Sequence, residues 1–95
     1  MSIKVLQTSL FLKKKKKLKK NQIKFLDDAV RKIIANPEAG KQKSGDLSDV
    51  WVYKFKMVKQ ETLLAYQWDE ETRTLIALGF HENFYRDLKK HQKSN

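Results

Sequence analysis

The spacing of apolar and polar positions divides the chain into strand-like and helix-like segments. From Val50 onward, three runs have the patterns of β-strands: 50–58, 62–68 and 73–80. Basic and apolar residues alternate toward the end of the first run, whereas the third run is apolar on both faces from Leu75 on, as expected for a strand covered on both sides. Gln60 and Glu61 follow the first run, and four polar residues, 69–72, follow the second. The pattern predicts three antiparallel strands joined by two hairpin turns, the first of them at Gln60–Glu61.

The N-terminal third of the chain has a short strand pattern followed by a helical one. Residues 3–8 mix apolar and polar side chains, with Ile3 and Val5 on one strand face. Ser9 is expected to cap a first helix, because its hydroxyl can accept a hydrogen bond from a free backbone N–H. Leu10, Phe11 and Leu18 fall on one side of this helix.

A second helix is predicted from residue 21 onward, where apolar residues recur at three- and four-residue steps. Asp27 and Asp28 lie in its first half and Arg31 and Lys32 in its second, which suits the helix dipole. Asn36–Pro37 ends it, because the residue before a proline is pushed out of the helical region. With almost no linker at Lys20–Asn21, the two helices should form a hairpin that covers one face of the sheet.

The remaining segments are a loop and a C-terminal helix. Residues 36–49 hold the only proline and two of the three glycines, which is typical of a surface loop. Gly79 has no side chain and would let another group approach the last strand. Asn83 is a suitable cap for a short terminal helix through Lys90.

These elements predict a single α+β domain over residues 1–95. The order is β-α-α-β-β-β-α, with a small antiparallel sheet and the N-terminal helical hairpin packed on one face. A chain of 95 residues buries only roughly 60–65% of its unfolded surface, so one modest core is expected.

Composition narrows the possible partners and the compartment. The 21 basic and 11 acidic residues leave a formal charge of +10, which favours polyanions such as nucleic acid, the ribosome or an acidic protein. The chain has no cysteine, which excludes disulfides and thiolate zinc sites and, with no signal peptide visible, favours the cytoplasm. No apolar run approaches the ~20 residues needed to cross a membrane.

Five consecutive lysines, Lys13 to Lys17, form the strongest compositional feature. A run of this kind is usually a solvated helix face, and it can also be a patch that faces nucleic-acid phosphates. Binding to an anionic membrane surface would need a wider apolar face than Leu10, Phe11 and Leu18 supply.

The residues that could carry chemistry gather at the end of the last strand. A histidine side chain titrates near neutral pH, so His81 could act as general acid or base, and Tyr85 lies four residues further on. Arg86, together with Lys54 and Lys56 on one face of their strand, could stabilise charge on a phosphate. Each residue also has an ordinary structural interpretation, because a lone histidine is often simply exposed and a tyrosine often anchors a helix. His81 and His91 have no third ligand, so neither a metal nor a cofactor is expected.

The order of elements and the phrases GDLSDVWVYKFKM, LLAY and ALGFHENFYRDLK resemble the RelE/ParE superfamily of bacterial toxins, and the ParE-like branch in particular. The resemblance extends over about Ile3 to Lys90. It implies a growth-inhibiting toxin of a type II toxin–antitoxin pair, restrained by an acidic, partly disordered antitoxin that folds over its basic surface.

Two mechanisms occur in this superfamily, and the fold does not choose between them. His81 and Tyr85 are similar to the ending of several ribosome-dependent nucleases, and Lys54 and Lys56 are acceptable substitutes for the phosphate-binding groups of those nucleases. In a mechanism of this kind, Arg86 would join the two lysines on the phosphate. The strand TLLAYQW, however, lacks the arginine of the best-known nucleases. Cleavage of mRNA on the ribosome is therefore the first expectation and non-enzymatic inhibition of DNA gyrase is the second. A degenerate toxin that only binds its antitoxin, or a plain basic RNA-binding domain, is the third.

Overall fold

The computed structural model describes residues 2–43, 49–80 and 84. Its two helices are α1 (Ser9–Lys16) and α2 (Lys20–Ala35), and a 3-10 turn follows at Pro37–Ala39. The strands are β1 (Lys4–Gln7), β2 (Lys41–Gln42), β3 (Trp51–Met57), β4 (Gln60–Trp68) and β5 (Thr72–Phe80). The predicted α+β class and the predicted order of these elements are confirmed.

The strands form one five-stranded sheet in the order β1-β5-β4-β3-β2. β2 to β5 pair antiparallel, whereas β1 pairs parallel with β5 at one edge. Two features therefore differ from the expected sheet: β1 adds in parallel, and the predicted loop 36–49 contains the short strand β2. Strand β5, which lies between β1 and β4, is buried on both faces along most of its length, as its continuous apolar pattern indicates.

The helical hairpin covers one face of the sheet, as predicted. Phe11 of α1 and Leu26 and Ile33 of α2 are almost fully buried, because the apolar residues of α2 recur at helical spacing on a single side. Their partners on the sheet are Met57, Leu64, Tyr66, Leu75 and Leu78. We call this side the helix face.

The second face of the sheet carries its own apolar cluster and is called the open face here. Its buried members are Val50, Val52, Leu63, Ala65, Ile76, Ala77 and Phe84, with Leu10 packed against them. A β-bulge at Ala65/Tyr66 leaves Ile76 without a cross-strand partner. The Thr8 hydroxyl donates a hydrogen bond to the Ile76 carbonyl, so this carbonyl is not left unsatisfied.

Two local predictions are wrong, one by one residue and the other by two. Thr8, not Ser9, caps α1, and its hydroxyl accepts a hydrogen bond from the Phe11 N–H at 3.1 Å. The first hairpin turn is Val58–Lys59 rather than Gln60–Glu61, because Met57 pairs with Gln60. The turn contains no glycine or asparagine, so its position has no clear signal in the sequence.

The predicted terminal helix from Asn83 to Lys90 lies outside the described residues, apart from Phe84. In the part of the chain that the structure describes, no helix is long and apolar enough to span a membrane.

Candidate functional site

Strand β3 presents two lysines on the open face of the sheet. Tyr53 and Phe55 turn toward the helix face and stack with ring centroids 6.0 Å apart, so the alternate positions Lys54 and Lys56 point the other way and are exposed. The predicted shared direction of the two lysines is confirmed. Both ammonium groups are therefore accessible to a phosphate.

The charge of Lys54 is only weakly compensated. Its Nζ lies 3.7 Å from Glu61 Oε1, and the two side chains are 63% and 47% exposed. An ion pair this open to solvent contributes little, roughly 0–1 kcal/mol, because water screens both charges. A phosphate could replace Glu61 as the partner of Lys54 at small cost.

The end of β5 lies in the same cross-strand row as these lysines. Lys54 pairs with Leu63, and Leu63 pairs with Gly79. The Phe84 ring packs against Gly79 so closely that a Cβ at this glycine would lie 3.3 Å from Phe84 Cδ1. The close approach expected at Gly79 is thus observed, and its partner is Phe84.

The other three predicted site residues, His81, Tyr85 and Arg86, lie outside the described residues. The structure does describe the nearest residues on either side of His81, which are Phe80 and Phe84. Phe80 ends β5, and Phe84 is 2% exposed within the apolar cluster of the open face. Of the five predicted site residues, the structure therefore brings Lys54 and Lys56 together and leaves the other three as predictions.

A second group of lysines, which the sequence analysis treated separately, lies at this end of the sheet. Lys14 and Lys17 line a cavity together with Gly79 and Phe80. The three residues between α1 and α2 turn the chain sharply, and this turn brings the lysine run next to the end of β5. Periodicity could not show this neighbourhood, because it depends on how the hairpin docks.

The charges of the described residues are segregated along the sheet. One end carries Lys54, Lys56, the turn residue Lys59 and the lysine run of α1, and we call it the basic end. The turn between β4 and β5 carries Asp69, Glu70 and Glu71 at the opposite end. Since β5 spans nine residues, the two ends are roughly 27 Å apart. A polyanion is therefore attracted to one end of the molecule and repelled from the other.

Strand β4 contributes no cation to the basic end. Its residues Thr62 to Tyr66 are buried and none is basic. Arg73 of β5 is 4% exposed, and its guanidinium donates hydrogen bonds to the carbonyls of Ile33 and Ile34 at the end of α2, each at 3.1 Å. Arg73 therefore holds α2 on the sheet and is not available to a ligand.

Among the described residues, no three His, Cys, Asp or Glu side chains come close enough to hold a metal ion. A cavity of about 500 Å³ lies at the acidic end between Asp49, Trp51 and Asp69. Its carboxylates would repel a phosphate-bearing ligand. The accessible cations of the basic end thus remain the best-defined candidate site.

The fold and the basic end together define a class of small α+β proteins in which a helical hairpin packs on a sheet that presents lysines at one end. Residues 5–89 match the family described as "ParE-like toxin of type II bacterial toxin-antitoxin system". The chain belongs to this family and is a toxin of a type II toxin–antitoxin system, which makes an antitoxin its partner.

Solved structures are similar over nearly the whole chain. A double mutant of the Escherichia coli toxin RelE in the free state has a TM-score of 0.72 at 21% identity, with 96% of this chain and 98% of that chain covered. The toxin–antitoxin complex RelBE of E. coli has a TM-score of 0.66 at 25% identity, with 85% of this chain and 99% of that chain covered. The YoeB/ParE toxin of Agrobacterium tumefaciens has a TM-score of 0.63 at 15% identity, with 83% of this chain and 99% of that chain covered. No curated protein matches the sequence at a significant level.

Proposed function

We propose that this toxin inhibits growth by cleaving mRNA in a ribosome-dependent reaction at its basic end. The observation that supports the proposal most directly is the exposed pair Lys54 and Lys56. It lies in register with the strand end from which the chain continues into His81. The proposal implies that the protein works in the cytoplasm, where mRNA is translated.

In the proposed reaction the 2′-hydroxyl of a nucleotide attacks the adjacent phosphorus and the 5′-oxygen of the next nucleotide leaves. His81 acts as the proton-transfer group between the attacking 2′-hydroxyl, which loses a proton, and the leaving 5′-oxygen, which gains one, since an imidazole titrates near neutral pH. Lys54, Lys56 and Arg86 stabilise the charge that grows on the phosphate, and Tyr85 positions a base or the leaving group. The weak pairing of Lys54 with Glu61 fits this role, because the lysine can change partner when the phosphate arrives.

The antitoxin is proposed to be acidic and partly disordered before it binds. A net charge of +10 favours such a partner, and a disordered acidic segment can cover a large basic surface as it folds. The solved RelBE complex is that of a related toxin with its own antitoxin. By analogy, the antitoxin of this chain would inhibit it by covering the basic end.

Purified toxin incubated with programmed ribosomes, followed by mapping of mRNA ends, tests the proposal. We expect new 5′ ends with the wild type and their loss, by at least about a hundredfold, with His81→Ala, because general acid–base catalysis contributes roughly 10²–10⁴-fold. Lys54→Gln/Lys56→Gln should reduce cleavage strongly. The control Lys4→Gln/Lys41→Gln removes the same charge elsewhere and should not. Intact mRNA at an excess of wild-type toxin would defeat the proposal.

The second candidate is a non-enzymatic inhibitor of DNA gyrase. It is favoured by the absence of a cation on β4 and by the structural use of Arg73, which leave β4 and β5 without an accessible phosphate-binding group. A supercoiling assay separates the two candidates. Inhibition of gyrase that survives His81→Ala would favour the binding mechanism, and supercoiling unaffected by excess toxin would exclude it.

A further inference from the structure

Phe80 is a large aromatic side chain that the fold leaves exposed. It is the last residue of β5, lies on the helix face, and is 39% exposed. Its ring lines a cavity of about 180 Å³ whose floor includes the buried side chains of Met57 and Leu78. We call this space the Phe80 cavity.

The open side of the Phe80 cavity is basic. Lys14 from the last turn of α1 and Lys17 just after it both line the cavity. No carboxylate among residues 2–43, 49–80 and 84 forms an ion pair with either lysine. An exposed aromatic ring and two lysines without an acidic partner in this part of the chain thus share one small site.

We propose that the Phe80 cavity binds one nucleotide of single-stranded RNA, with its base stacked on Phe80 and its flanking phosphates bound by Lys14 and Lys17. Proteins that hold single strands combine these two elements, an aromatic ring for the base and a basic groove for the backbone. The cavity is smaller than the roughly 300–1,000 Å³ of whole small-molecule sites, which suits one ring system of a longer chain.

The position of the cavity gives this site a role in substrate binding. It lies at the basic end, on the sheet face opposite Lys54 and Lys56. A strand of several nucleotides can pass around the sheet end and meet both groups of lysines. The inference rests on the proposed function only in taking the bound RNA to be the mRNA substrate. The acidic antitoxin is the competing occupant, but it offers no regular alternation of planar bases and phosphates.

The test is the affinity of the full-length toxin for a fluorescently labelled single-stranded RNA of eight nucleotides, measured by anisotropy without ribosomes at several salt concentrations. We expect Phe80→Ala to weaken binding on the order of tenfold and Phe80→Trp to preserve it, because a base stacks on either aromatic ring. Leu12→Ala is the matched control, since Leu12 is 40% exposed on α1 and should leave the affinity unchanged.

Lysine variants test the phosphate contacts in the same assay. Lys14→Gln/Lys17→Gln should lower the slope of log affinity against log salt by about 1.4, since each phosphate contact with a single strand contributes about 0.7. Lys4→Gln/Lys41→Gln removes the same charge and should change the slope much less. Melting temperatures would confirm that every variant folds.

Three results would overturn the inference. One is an RNA affinity of Phe80→Ala within twofold of that of the wild type. Another is an equal decrease of the salt slope in Lys14→Gln/Lys17→Gln and in Lys4→Gln/Lys41→Gln, which would mean that the lysines attract RNA only diffusely. The third is a Phe80→Ala variant that loses antitoxin but keeps RNA, which would assign the cavity to the antitoxin. Because no ribosome is present, intact mRNA in the cleavage assay would defeat the proposed function without touching this result.

Discussion

Tyr66 shows how a single hydroxyl can join distant parts of this chain. Its side chain is fully buried, and the hydroxyl donates a hydrogen bond to the Pro37 carbonyl at 2.6 Å and accepts one from the Gly40 N–H at 2.9 Å. A Cβ at Gly40 would lie 2.6 Å from the Tyr66 oxygen and 2.7 Å from the Val52 carbonyl oxygen. Only glycine can therefore approach so closely, and the 3-10 turn is fixed against β4.

The buried hydroxyl predicts a pH dependence of stability. Burial raises the pKa of Tyr66 above its ordinary value of 10.0, although the Gly40 N–H and the Arg73 charge oppose the shift. Because the folded chain holds this proton more tightly than the unfolded chain, the stabilisation is fully present below pH 10. It is lost as the pH rises through the raised pKa.

Urea unfolding of the wild type and Tyr66→Phe from pH 8 to 11 measures this effect. At pH 8 the variant should be less stable by about 1–2 kcal/mol, because two buried backbone groups lose their partner. The difference in free energy of unfolding between the wild type and Tyr66→Phe should become smaller above pH 10. A gap that stays constant over this range would contradict the assignment, since lysine deprotonation affects both proteins equally.

Arg73 illustrates a residue whose role the sequence did not reveal. In the strand pattern it is simply the first residue after a polar turn, whereas in the fold it bonds to the last carbonyls of α2, 39 and 40 residues earlier. A guanidinium suits this position, because the carboxyl end of a helix carries partial negative charge and unpaired carbonyls. The Arg73 guanidinium carbon also lies 5.9 Å from the centroid of the Trp68 ring, and this cation–π contact helps to hold the arginine in place.

At the scale of elements, the hairpin between β3 and β4 is held in an unfavourable backbone conformation. Val58 has a φ of 63°, a region that a β-branched residue adopts only at a cost. The two-residue loop imposes it, because Met57 and Gln60 pair on either side. The Val58 side chain is 43% exposed, so little packing offsets this cost.

Replacing the strained residue predicts a more stable protein. Val58→Gly should raise the free energy of unfolding by about 0.5–1 kcal/mol, the relief of strain exceeding the extra freedom that glycine has in the unfolded chain. The melting temperature should rise by roughly 2–8 °C.

Lys59→Gly is the control for this prediction, since Lys59 lies in the same turn without the positive φ. It should lower the free energy of unfolding, because glycine makes the unfolded chain more flexible and there is no backbone strain at Lys59 to relieve. If both variants lowered the melting temperature equally, strain at Val58 would be excluded.

At the scale of the whole molecule, the excess of positive charge has opposite effects on folding and on binding. The chain has a net charge of +10, so its basic side chains repel one another in the folded state. Most of the described lysines lie toward one end of the sheet. The same concentration attracts polyanions. Salt screens both interactions, with a Debye length of about 10 Å at 0.1 M.

Salt should therefore stabilise the free toxin and weaken its complexes. Between 20 and 300 mM NaCl, we expect the melting temperature of the free toxin to rise by a few degrees, while RNA affinity falls by at least about tenfold. Sucrose at matched osmolality serves as a control for effects unrelated to charge. A melting temperature that falls with salt would show that attractive ion pairs, not repulsion, dominate the free protein.

The elements themselves could be predicted because their signals are local. The two-residue alternation of β3, the short apolar runs of β4 and β5 and the helical spacing of α2 depend on neighbours in the chain, and so does the stop at Asn36–Pro37. The shared direction of Lys54 and Lys56 follows from the same alternation. The expected order of elements and the expected family were accordingly correct.

What only the tertiary structure decided depends on which distant segments meet. The parallel docking of β1 on β5, the anchoring of α2 by Arg73 and the meeting of Lys14 and Lys17 with Phe80 join residues some 40 to 70 positions apart. Such contacts form because apolar faces are buried in one particular packing, and no short sequence window carries that information. The chain alone thus determined its strands, its helices and its charge, whereas the folding of the hairpin onto the sheet decided where that charge is presented.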